Sequence, residues 1–102
     1  MPGVDFSSVR AQISLAQVLR LLDFVPTRKV ADQLRGPCPV HGSRRPGSRS
    51  FSANVAKNVY HCFKCGSAGN QLDLWMAVHD VNAYRAAVDL CERLSVQVPW
   101  LE

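Results

Sequence analysis

A chain of 102 residues, 47% of them hydrophobic, with a formal net charge of +4, has room for one domain with a modest core. No apolar run approaches the ~20 residues of a membrane span, and residues 1 to 12 lack a basic patch followed by an apolar stretch, so a soluble cytoplasmic protein is expected. Four cysteines, all but Cys91 grouped between residues 38 and 65, argue against a disulfide framework and fit a reducing interior.

In chain order, Ser7 or Ser8 can cap a short turn running through Val9 to Ile13. A firmer helix is predicted over about residues 14–24, because Ser14-Leu15-Ala16-Gln17 is a capping box and Leu15, Val18, Leu19 and Leu22 form one apolar stripe. Pro26 stops it. Thr27 to Val30 and Gln33 to Arg35 read as short strands around Ala31-Asp32, opening a ribbon over about residues 27–69. Residues 42 to 49 contain no apolar side chain except proline, the composition of a flexible loop. Phe51 to Val55 alternates apolar and polar and can pair with Val59 to Cys62 across Ala56-Lys57-Asn58, with Asn58 in the left-handed position of a three-residue loop.

C-terminal helices are predicted over about residues 70–94. Asn70 caps the first, with Asp73 completing a capping box and Leu72, Trp75, Met76 and His79 facing inward. The second, from about Asn82 to Leu94, puts Tyr84, Ala87, Val88, Cys91 and Leu94 on one face, and an extended Val96 to Trp100 ends the chain. On that face Cys91 is a small buried hydrophobe.

The chemistry lies in Cys38-Pro39-Val40-His41 and Cys62-Phe63-Lys64-Cys65. Two residues separate the members of each pair, so each turn directs two side chains at one ion, and together the turns supply a closed tetrahedral Cys3His zinc site. His61 could in principle replace His41, but neighbouring strand residues point to opposite faces, which makes it a surface side chain beside Cys62. Four protein ligands leave no position for an activated water, the acids are scattered, and no Ser/His/Asp grouping stands out, so no catalytic residue is assigned. Zinc release with disulfide formation among Cys38, Cys62 and Cys65 is chemically open, yet nothing specific asks for it.

Charge is uneven along the chain. Residues 27 to 65 carry eight basic side chains (Arg28, Lys29, Arg35, Arg44, Arg45, Arg49, Lys57, Lys64) against one acid, Asp32, while the rest is slightly acidic. Such an asymmetry is the electrostatic footprint of a nucleic-acid surface, the alternative being an ordinary solvated basic face. Arg44, Arg45 and Arg49 could close over phosphates or simply keep their loop soluble.

From Cys38-Pro39-x-His41 through Ser50-Phe51 and Tyr60-His61-Cys62-Phe63-x-Cys65-Gly66-x-x-Gly69-Asn70 to Asp73, the chain resembles the N-terminal zinc-binding domain of bacterial DnaG-type primases, the CHC2 zinc-finger family. The resemblance covers nearly the whole chain. It implies an α+β fold: a zinc ribbon whose antiparallel sheet of about five strands is flanked by helices. It also implies one zinc ion on Cys38, His41, Cys62 and Cys65, and a module that recognises single-stranded DNA template and cooperates with a separate primase polymerase domain, the replicative helicase being a further candidate partner. No membrane and no small-molecule substrate are expected.

The family's ribbon face maps onto Phe51 to Lys64, where basic groups can contact phosphates and an exposed Tyr60, His61 or Phe63 can stack on bases; packing against the helices is the alternative for Phe51 and Phe63. Expected DNA contacts are therefore Arg44, Arg45, Arg49, Lys57, Tyr60, His61 and Lys64. The loop after His41 is longer and richer in Arg and Ser than the family's pattern. The competing class is a zinc ribbon that docks onto a polymerase, helicase or mobile-element replication protein without binding DNA.

Overall fold

A computed structural model describes residues 3–41 and 50–101. The predicted cap at Ser7 or Ser8 is displaced: Asp5 caps a full helix, α1 (Phe6–Gln12), and its carboxylate accepts hydrogen bonds from both the backbone N–H and the hydroxyl of Ser8. The capping box at Ser14 is present. It opens α2 (Leu15–Leu21), shorter than predicted because Asp23 turns left-handed, at φ 55°, before Pro26 is reached.

Five strands follow among the described residues: β1 (Arg28–Val30), β2 (Gln33–Gly36), β3 (Phe51–Asn54), β4 (Val59–Cys62) and β5 (Ala68–Asn70). They form one antiparallel sheet in sequence order, so every strand pairs with its chain neighbours. Ala31 takes the left-handed position between β1 and β2, and Asn58 takes it before β4, as expected of asparagine. The β3–β4 connection has four residues rather than three, since Asn54 pairs with Val59 and Val55 belongs to the turn. The Asn54 side chain drives this, accepting from the N–H groups of Ala56 and Lys57 at 3.1 and 3.0 Å.

The register sorts side chains by face. Leu34, Ala53 and Tyr60 lie abreast, as do Gly36, Phe51 and Cys62, and this face is buried. Gly36 is required by close approach, because a Cβ there would meet the Phe24 ring at 2.9 Å, and Phe24 in turn packs on Phe51 at 5.2 Å between centroids. Arg35, Ser52 and His61 lie abreast on the other face, with Gln33, Asn54 and Val59 alongside. Among the described residues no helix covers that side, and Gln33, Val59 and His61 are exposed.

Helix α3 (Gln71–His79) packs against β4 and β5, α4 (Ala83–Arg93) packs on α3 and α1, and Asn70 and Asp73 form the predicted capping box. Their buried stripes are rotated from the prediction. In α3 the inward residues are Gln71, Leu72, Leu74 and Trp75, whereas His79 is exposed with its ring 4.2 Å from Trp75. Gln71 turns inward because its amide donates to the carbonyls of Arg10 and Ile13, which tie off the end of α1. In α4 the buried set is Ala86, Ala87, Leu90 and Cys91, and Tyr84 is left exposed. The extended tail reaches Trp100, which bridges Val4, with hydrogen bonds from Asp5 N–H to the Pro99 carbonyl and from Leu101 N–H to the Gly3 carbonyl.

Candidate metal centre and sheet surface

Cys38 and His41 lie in the turn that follows β2; Cys62 ends β4, and Cys65 lies in the turn leading to β5. Their ligand atoms all fall within 4.8 Å of one another. Two Zn–S bonds of about 2.3 Å at the tetrahedral angle set their sulfurs about 3.8 Å apart, and a Zn–S with a Zn–N bond sets sulfur and nitrogen about 3.6 Å apart. The Cys38 and Cys65 sulfurs are 3.9 Å apart, and the Cys62 sulfur is 3.6 Å from Nδ1 of His41. The donor set fits zinc in chemistry and in spacing.

The second turn is shaped to make this possible. Phe63 N–H donates to the Ser50 carbonyl at 2.8 Å, Gly66 N–H to the Cys62 carbonyl at 3.0 Å, and Cys65 N–H to the Cys62 sulfur at 3.3 Å. Gly66 sits at φ 79° with open space around a Cβ, so the left-handed backbone alone asks for glycine. Cys38 and Cys62 are buried, while His41 and Cys65 are exposed, so the cluster straddles the edge of the core.

The two buried thiols differ. Burial pushes the Cys38 thiol up to about 12; the N–H groups of His41 and Val40 oppose this, and the adjacent Cys62 adds to it. Burial acts upward on Cys62 too, but the N–H groups of Cys65 and Lys64 and the Cys65 and Cys38 side chains outweigh it and hold the thiol at about 7. Of these two, Cys62 is the readier thiolate, the form in which cysteine ligates metal.

The expected nucleic-acid residues are placed unevenly. Lys57, His61 and Lys64 are exposed. Tyr60 is a correction: it is 4% exposed, its ring stacks on Phe51 at 5.6 Å, and its hydroxyl is 2.8 Å from the Ser67 hydroxyl, so it has no free face for a base. It belongs to the face of β4 that packs on the helices. Phe63 does the reverse, standing 60% exposed with the His61 ring at 4.7 Å and the Arg35 guanidinium 4.9 Å from its centroid. Arg44, Arg45 and Arg49 lie outside the described residues.

Sequence reasoning counts Arg28 and Arg35 in the basic region without placing them at the site. The structure sets them opposite each other on β1 and β2, on the same face as His61. Their period-two spacing with Val30 and Gln33 is the signal that could have found them.

Comparison with known proteins agrees with this geometry. DNA primase of Synechocystis sp. is 31% identical over 94 residues, covering 92% of this chain and 14% of that protein. DNA primase of Halalkalibacterium halodurans is 28% identical over 99 residues, covering 97% and 16%. The chain therefore spans a small part of these relatives' length. A crystal structure of Aquifex aeolicus primase, with its zinc binding and RNA polymerase domains, matches with a TM-score of 0.72 at 24% identity, over 93% of this chain and 22% of that one, a likeness of fold. The CHC2 zinc finger model matches residues 3–102, a span that includes the whole Cys3His cluster, and the chain accordingly belongs to that family and holds one zinc ion.

Proposed function

We propose that this chain is a non-catalytic module that binds single-stranded DNA template and helps a primase polymerase domain begin a primer during DNA replication in the cytoplasm. The observation that carries this reading is the open sheet face, where Arg28, Arg35, His61 and the exposed Phe63 are neighbours. Cationic groups meet phosphates, and an exposed ring beside a guanidinium offers a stacking surface that only unpaired bases can use. Zinc on four protein ligands supplies structure, with no open position for water. The kinship with DNA primases supports the replication setting.

The test is fluorescence anisotropy of the zinc-loaded protein on labelled single-stranded and duplex DNA across a salt series. The expected result is preferential single-strand binding, with a log–log slope of about −0.7 per neutralised phosphate. Absence of binding at low salt would reject the reading. A docking role is the second possibility, favoured by the apolar surface of Tyr84, Trp100 and Leu101, which stand 40%, 44% and 51% exposed. Capture of a polymerase or helicase partner without DNA binding would establish it instead.

A further inference from the structure

An open pocket of about 260 Å³ lies on the exposed sheet face, lined by Gln33, Ser52, Asn54, Val59 and His61, together with Lys57 and, in part, Tyr60. Its polar groups are held by bonds within the protein. Oδ1 of Asn54 accepts from the N–H groups of Ala56 and Lys57, and since a backbone N–H can only donate, Nδ2 must be the end left over. The Gln33 amide is hydrogen-bonded to the Ser52 hydroxyl, whose residue is 7% exposed; a hydroxyl can donate or accept, so the outer end of that amide can serve as acceptor or donor. Neither Nδ2 of Asn54 nor the outer end of the Gln33 amide has a side-chain partner among the described residues.

Gln33 and Asn54 are directly opposite on β2 and β3, so an oriented donor and a second amide stand side by side across the ladder. Nucleobases display donors and acceptors along their edges, and the half-exposed Val59 and the His61 ring supply apolar and aromatic wall. Lys57 brings a cation for the adjoining phosphate.

We propose that this pocket receives one unpaired base of the strand and reads its edge, with Asn54 as donor and the Gln33 amide as the second hydrogen-bonding group, making these two residues determinants of template preference. The proposal rests on the single-stranded DNA reading above. It assigns discrimination to the amides and general affinity to the neighbouring cations and Phe63.

The test measures binding of the zinc-loaded chain to short oligo(dT), oligo(dC) and oligo(dA) and to an abasic strand of equal length. Two variants are compared, Asn54→Asp and Gln33→Leu. Asn54→Asp keeps the acceptor for Ala56 and Lys57 but turns the outward donor into an acceptor; its added charge acts on every strand alike and cancels in the ratio to the abasic strand. Zinc content and melting temperature confirm that each variant is folded.

The wild-type chain is expected to separate the bases by roughly threefold to tenfold, the worth of one or two hydrogen bonds, and both variants to compress that spread to within about twofold. Equal binding of all strands, abasic included, overturns the pocket and leaves the single-strand reading standing. A spread unchanged in both folded variants also overturns it. Binding to no strand rejects the underlying reading and the pocket with it.

Discussion

Replacing Asn58 separates two contributions that the β3–β4 turn makes to stability. Asn58 sits at φ 55°, and its Oδ1 accepts the N–H of Leu15 at 2.8 Å. Leu15 is fully buried and is the first residue of α2, so its N–H has no partner within the helix. Leaving that donor unsatisfied costs about 1–3 kcal/mol. Forcing an alanine into the left-handed region adds about 1–2 kcal/mol, a penalty that glycine escapes. Asn58→Gly should therefore lose about 1–3 kcal/mol and Asn58→Ala about 2–5 kcal/mol, large fractions of the roughly 5–15 kcal/mol of a typical domain. Urea denaturation of the zinc-loaded protein, followed by far-UV circular dichroism, reads both, with a common m-value as the check that only stability has changed. If Asn58→Gly melted with the wild type, the bond to Leu15 would carry no weight; if the two variants coincided, the backbone argument would be wrong.

The metal centre predicts that Cys62→Ser loses its zinc equivalent and disorders the ribbon, structural zinc in finger peptides being worth roughly 10–16 kcal/mol, while Cys91→Ser keeps its zinc; metal analysis of the purified variants decides, and a full equivalent retained by Cys62→Ser would refute the ligand set. Removing Arg44, Arg45 and Arg49 together should weaken DNA binding and flatten its salt dependence by about 0.7 in slope for each phosphate no longer neutralised. An unchanged salt series would assign that loop to solubility. Phe63→Ala should weaken single-strand binding by about 1–3 kcal/mol with little change in melting, because the ring is 60% exposed. Tyr60→Ala should instead lose about 3–5 kcal/mol of stability, since its buried ring stacks on Phe51. Reversed phenotypes would contradict the assignment of the two faces of β4.

Much of this protein was legible because its signals are local. The spacing within Cys38-x-x-His41 and Cys62-x-x-Cys65 requires only a turn at each pair, and the capping boxes at Ser14 and Asn70 close within four consecutive residues. Positive φ at Asn58 likewise follows from what asparagine tolerates at the end of a tight turn. Helix rotation was not local. Gln71 turns inward to reach carbonyls at the end of α1, in a bond spanning 58 residues to Ile13, and carries the stripe of α3 with it.

The roles of Tyr60, His61 and Phe63 show the same boundary. Alternation along β4 separates Tyr60 from His61, but which face meets the helices depends on how β3 pairs and where α3 packs. Sequence by itself determined the ligand set, the hairpin and the concentration of positive charge, because each depends on residues near one another in the chain or on a sum over them. Tertiary structure alone decided that Tyr60 is core, that Phe63 is surface and that the face carrying Arg28, Arg35 and His61 is the one the helices leave open, because a sheet buries whichever side its helices cover.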